Sequence, residues 1–377
     1  MSIKRTMRTL CALCMLSMGL GVLCFAISSL PEVMDKDVTQ YWASGKLLLH
    51  HANPYDERSV YLLEMGAGSP ITRLQVMFNP PCTLPFALPL GLLSVHAAIF
   101  VWMLVIVACL ILSIRILWIM HGRRTDRLHL LCYVFPPVLA CVELAQIVPV
   151  VLLGLVLFLW LVEDRPLLAG LCIPLLAFKP QLLLAFGVVV LIWAIKGRRY
   201  RFLFGMLLGF LVTCGISFSF DHQIFIQYIP VLQSANGISH RTLNLSSQLY
   251  RLHPGSCLQY VPVTCASCWA TIWYLRRGDA WDWSNEGLLL LAVSVVVAPY
   301  SWFEDEALMI PAVLTGIYGC WDSGRSLIGF ALLDGAVLMM VLFHVEPASG
   351  AYVWTSVAWL GWVIYARRVS GLRVTQG

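Results

Sequence analysis

Runs of about 20 apolar residues, the length that crosses a bilayer as one helix, recur from end to end of this chain. Hydrocarbon offers backbone N–H and C=O groups no partner, so such runs must close their hydrogen bonds within each segment, as helices do. The pattern predicts an all-α polytopic membrane protein, with its 377 residues read as one integral-membrane domain, 1–377. Charged residues make up 12% of the chain, about half the share of a soluble domain. That excludes a soluble fold and leaves no room for a separate soluble domain.

The first run, Leu10 to Leu30, follows Lys4, Arg5 and Arg8. Its length and the lack of a small-x-small site before Pro31 favour a retained helix over a cleaved leader. Most of the 13 cysteines lie inside apolar runs, where they act as small hydrophobes. Cys265-x-x-Cys268 has metal or redox spacing, but with no second pair or nearby histidine it reads as a buried helix face. The net charge of +5 follows from basic cytoplasmic loops and implies no nucleic-acid partner.

Lys and Arg collect in cytoplasmic loops, so loop charge sets orientation. The amino terminus and the loops at Arg123-Arg124, Arg198-Arg199, Arg276-Arg277 and Arg367-Arg368 are basic and should lie inside. From the outer end of the first run an odd number of crossings must lead to Arg123-Arg124, and Val95 to Met120 supplies one. Asn79 to Ser94, with five prolines or glycines, then reads as an interfacial or re-entrant segment. The remaining runs alternate from Leu128 to Ala366, giving about 12 transmembrane helices with both ends inside. The first extracytoplasmic loop, about 31–94, is long and should carry interfacial helices; a second large outer loop covers about 221–256.

Under this topology the unusual polar residues share the outer side, among them Asp35, Asp37, Tyr41, Asn53, Tyr55, Asn79, Gln146, Lys179, Arg241, Asn244, Arg251, Glu304 and Asp305. Charges at helix ends in a membrane tend to be paired or functional. Lys179 in Phe178-Lys179-Pro180 is either a lysine snorkelling to the interface or a cation for a phosphate. Asn53-Pro54-Tyr55 reads first as a turn.

Asp37-x-x-x-Tyr41-Trp42-x-Ser44-Gly45, followed by His51-Ala52-Asn53-Pro54-Tyr55-Asp56, resembles the first outer loop of glycosyltransferase family 87. Further similar elements are Asn79-Pro80-Pro81, Gln146 ahead of an apolar run, Ala169-Gly170 leading to Lys179-Pro180, Asn244-x-Ser246, and Ala298-Pro299-Tyr300-Ser301-Trp302 before Asp305. Two positions depart from the pattern. Ala145 stands where the family often has Gly, and Phe303-Glu304-Asp305 stands where some members carry His.

The resemblance implies a multispanning GT-C fold and an inverting transfer of one sugar, mannose, from a polyprenyl-phosphate donor to a hydroxyl of a lipid-linked or glycan acceptor. Such chemistry needs a base for the hydroxyl proton and cations for the departing phosphate. Family position points to Asp37 as base, with Asp35 second; the alternative is that Asp37 caps the helix containing Tyr41 to Leu49. Tyr41, Asn53, Tyr55, Gln146, Lys179, Arg241, Asn244, Arg251, Glu304 and Asp305 are the candidates for substrate contact. An acid in place of the family histidine shifts the phosphate role toward Lys179, Arg241 and Arg251. No cofactor is implied and no metal is required, although Asp35-x-Asp37 could hold a divalent ion. The expected partners are the lipid donor, the acceptor and membrane lipids, at the outer face of a bacterial plasma membrane. Rival readings are a GT-C enzyme for arabinose or glucose, a transporter or flippase, and a scaffold without catalysis. Transporters place sites near the midplane between internal repeats, and this chain shows no repeat.

Overall fold

The computed structural model describes residues 37–68, 77–234, 244–321, 323–345 and 350–374. The run Leu10 to Leu30 and the candidates Asp35 and Arg241 lie outside the described residues. The helices are α1 (Val38–Leu49), α2 (Glu57–Gly66), α3 (Leu84–Gly91), α4 (Val95–Met120), α5 (Pro136–Glu143), α6 (Val148–Leu161), α7 (Pro166–Leu171), α8 (Ile173–Leu176), α9 (Leu184–Lys196), α10 (Tyr200–Phe220), α11 (Ile224–Ser234), α12 (Leu245–Leu252), α13 (Val261–Arg277), α14 (Leu288–Val296), α15 (Ile310–Gly319), α16 (Gly324–Leu342) and α17 (Thr355–Val374). No strand occurs among the described residues.

Three of them, α4, α10 and α16, are long and apolar enough to cross a membrane. At 26 residues, α4 measures about 39 Å along its axis. Between α4 and α10 the apolar sequence forms shorter helices separated by breaks. Proline is the cause. Phe135, ahead of Pro136, is extended with ψ 121°, as the residue before a proline tends to be. Pro166, Pro174 and Pro180 likewise stand at the starts of new helical pieces. The eight-residue α3 covers about 12 Å and is too short to span.

The segment expected as the first outer loop does contain helices, α1 and α2, and α1 packs closely on α3. A Cβ on Gly45 would lie 2.1 Å from the Ala87 carbonyl oxygen, and one on Gly91 would lie 2.4 Å from the Lys46 nitrogen. Only glycine permits that approach. It pins α1, and with it Asp37 at its amino end, against the body of the protein. The segment expected as a second, polar outer loop instead carries α11 and α12. Asp221 accepts a hydrogen bond from the Gln223 N–H at 2.8 Å ahead of α11, and Ile224 and Val231 bury one of its faces.

Cys265 and Cys268 are exposed on α13, not on a buried face. In a bilayer the apolar surroundings of a helix come from lipid as readily as from protein, so an apolar run does not by itself imply burial within the fold.

Candidate active site

Four segments far apart in sequence meet at helix ends. Asp37 stands at the N-cap position of α1, yet its side chain makes no capping bond. Its carboxylate accepts instead from the Gln146 side-chain amide. The Gln146 oxygen in turn accepts from Lys179 Nζ at 3.1 Å, and Lys179 donates to Asp305 Oδ1 at 2.7 Å. The other Asp305 oxygen accepts from the Trp302 backbone N–H at 2.8 Å. Asp37, Gln146, Lys179 and Asp305 thus form one continuous chain of polar contacts.

Each member is aimed by local backbone structure. Helix α5 ends in a Schellman arrangement, with Gln146 N–H bonded to the Cys141 carbonyl at 2.9 Å and Ala145 N–H to that of Val142 at 3.2 Å. Ala145 occupies the left-handed position of this motif with φ +52°, where glycine is the usual residue. The geometry therefore explains a family glycine here and shows that this chain holds alanine in a costlier conformation. Trp102 of α4 donates to the Ala145 carbonyl at 2.9 Å, which fixes the turn and the direction of Gln146.

Lys179 does not snorkel. Its side chain is 11% exposed, and that of its partner Asp305 is 1% exposed. Burial alone would lower the lysine pKa, but the charges of Asp305 and Glu304 outweigh it and hold the ammonium above its ordinary value. An ammonium has three N–H donors. Among the described residues, two go to Gln146 and Asp305.

Tyr41 is buried beside this chain and packs on Trp102 with ring centroids 5.3 Å apart. Burial first, and then the charges of Asp37, Asp305 and Glu304, push its phenol up. Glu304 is buried, with no hydrogen-bond partner for Oε2 among the described residues. Burial, and then the neighbouring Asp305 charge, raise its carboxyl from 4.5 to about 8. A native acid with a raised pKa binds a proton that the unfolded chain has released, so stability falls as pH rises from 4.5 toward 8 and then levels off. Buried Glu306 is shifted in the same direction. Glu304→Gln should therefore melt a few degrees higher than the unsubstituted protein at pH 8, with the gap closing toward pH 5. Melting curves across that range check this; a gap independent of pH would refute it.

Other candidates serve the frame around this chain. Asn53 accepts from the Tyr55 backbone N–H at 2.9 Å, forming the expected turn. Tyr55 is buried and donates to the Asn79 carbonyl at 3.2 Å. Asn244 caps α12 by accepting from Ser247 N–H at 2.9 Å. Its amide also holds the Ala298 carbonyl at 2.7 Å and Ser301 Oγ at 3.2 Å, bracing the segment that leads to Asp305. Arg251 is exposed on the last turn of α12, about 10 Å along the helix from Asn244. Tyr228, whose hydroxyl bonds the Phe78 carbonyl at 3.0 Å, was hidden in a segment that reads as polar loop.

An all-helical membrane chain with carboxylates, an amide and a buried lysine gathered at helix ends has the build of an integral-membrane enzyme. It belongs to glycosyltransferase family 87, whose family model matches residues 78–315, more than half the chain. The protein is a glycosyltransferase, acting between a sugar donor and an acceptor. Comparison with curated proteins and with solved structures gives no match. The family match begins at Phe78, so Asp37, Tyr41, Asn53 and Tyr55 precede it. Hydrogen bonds to Gln146 and Asn79 join that earlier segment to the matched region.

Proposed function

We propose that this enzyme transfers one sugar, mannose, from a polyprenyl-phosphate donor to a hydroxyl of a lipid-linked or glycan acceptor, with inversion. The observation that carries this reading is the chain Asp37–Gln146–Lys179–Asp305. It sets a carboxylate and a cation on either side of one amide. In the proposed step the acceptor oxygen attacks the anomeric carbon and its proton passes to Asp37. The bond from that carbon to the phosphate oxygen breaks, and its electron pair leaves on the phosphate, whose charge faces Lys179. Asp305 keeps Lys179 charged and oriented, and Gln146 fixes the Asp37 carboxylate. A lipid donor suits a chain whose long helices expose apolar side chains, among them Phe204, Leu207 and Leu211 of α10.

The site belongs on the extracytoplasmic side of a bacterial plasma membrane in an arrangement of about 12 spans. Reporters fused after Arg124, Arg198 and Arg276 should register as cytoplasmic, and those near Glu64 and Asn236 as external. A cytoplasmic reading at Glu64 would overturn the placement. For the donor, purified protein is assayed with polyprenyl-phosphate mannose, arabinose and glucose and with a nucleotide-linked mannose, and lipids that copurify are identified by mass spectrometry. Transfer from the mannosyl lipid is expected. Transfer from the nucleotide sugar alone would refute the lipid-donor reading, and preference for arabinose or glucose would keep the mechanism and change the sugar.

A further inference from the structure

The break that turns Lys179 inward leaves a carbonyl to be satisfied. In an uninterrupted α-helix the Phe178 oxygen would accept from the Leu182 N–H. That N–H goes instead to the Lys179 oxygen at 3.2 Å, in the tight turn that opens at Pro180. Lys179 itself sits at φ −129°, ψ 69°, outside helical geometry. Phe178 is 1% exposed, and a buried carbonyl without a partner is costly. The partner comes from the far end of the first outer loop: Asn79 Nδ2 donates to the Phe178 oxygen at 2.8 Å.

Asn79 is itself held on a rigid mount. Its carbonyl accepts from Tyr55, and the preceding Phe78 carbonyl accepts from Tyr228 of α11. The two tyrosine rings pack with centroids 5.1 Å apart. Phe86 of α3 meets the Phe178 ring edge-on at 4.9 Å. The backbone one residue before Lys179 is thereby tied to the same loop assembly that carries Asp37.

We propose that Asn79 is the positioning residue for Lys179: its amide completes the helix break at Phe178 and so holds the ammonium between Gln146 and Asp305 with one N–H directed to the donor phosphate. The inference rests on the reading of Lys179 as the phosphate cation. A residue acting in this way should affect donor binding and leave the acceptor alone.

The test measures the Kd for a short-chain polyprenyl-phosphate mannose, the acceptor KM and thermal melting in three variants. Asn79→Asp keeps the volume but presents no N–H to the carbonyl at neutral pH. Pro180→Ala leaves Asn79 in place but lets the helix continue through the break, and it carries the test should Asn79→Asp fold poorly. Each should weaken donor binding about tenfold, the scale of a misplaced group, with acceptor KM unchanged. Equal weakening of donor and acceptor, or an unchanged donor Kd, would overturn the inference. The third variant, K179Q/D305N, removes both charges and keeps the pairing. If it binds donor normally, the reading of Lys179 fails whatever Asn79 does. If it loses donor while Asn79→Asp and Pro180→Ala do not, the positioning role alone fails.

Discussion

Asp37→Asn should leave a folded protein whose sugar transfer is reduced at least ~10²-fold, the scale of a lost general base. The structural alternative, a helix cap, predicts the reverse: activity and stability both kept, because asparagine caps a helix as well as aspartate does. Asp37 holds the N-cap position without a side-chain capping bond and engages Gln146 instead. Asparagine can still accept from the Gln146 amide, so the local arrangement survives while the proton acceptor is gone. Transfer assays beside melting curves decide it. Normal transfer in Asp37→Asn together with loss in Asp35→Asn would exchange the two roles. Activity in both would place the base on another residue.

Hydropathy was enough to read the helical membrane class and the long helices, since the run Val95 to Met120 coincides with α4. It was silent on where the backbone breaks inside apolar sequence. Hydropathy scores how greasy a segment is, and a helix interrupted at Pro136 or Pro180 is as greasy as a continuous one. For the same reason Cys265 and Cys268 read as buried although they are exposed. Candidate site residues could be named from their types and order, but their division of labour could not. Asn53 and Asn244 serve turns and caps, uses that asparagine fills anywhere. Gln146 turns out to connect two charged groups, because a Schellman turn with Ala145 in the left-handed region directs it there. The anchor of the Lys179 break lies 99 residues away at Asn79, and no local pattern encodes such a contact.

Lys179→Met should be the most damaging single change to stability. It strands Asp305 as a buried carboxylate whose remaining hydrogen bond is the Trp302 N–H. Breaking a buried pair from one side costs about 3–5 kcal/mol, whereas a snorkelling lysine would be lost at little cost. Lys179→Gln should fare better, because its amide can still donate to Asp305, and it gives the cleaner view of donor binding. Affinity for a polyprenyl-phosphate sugar should fall about 10- to 100-fold, matching the 1.5–3 kcal/mol of a hydrogen bond to a charged group. The two roles come apart in K179Q/D305N, where no uncompensated charge remains. Melting should return toward that of the unsubstituted protein, because the stranded carboxylate is gone, while donor affinity should stay low, because the cation is gone as well. Recovery of both would make Lys179 a counter-ion for Asp305 and nothing more, and would move the phosphate contact to Arg241 or Arg251.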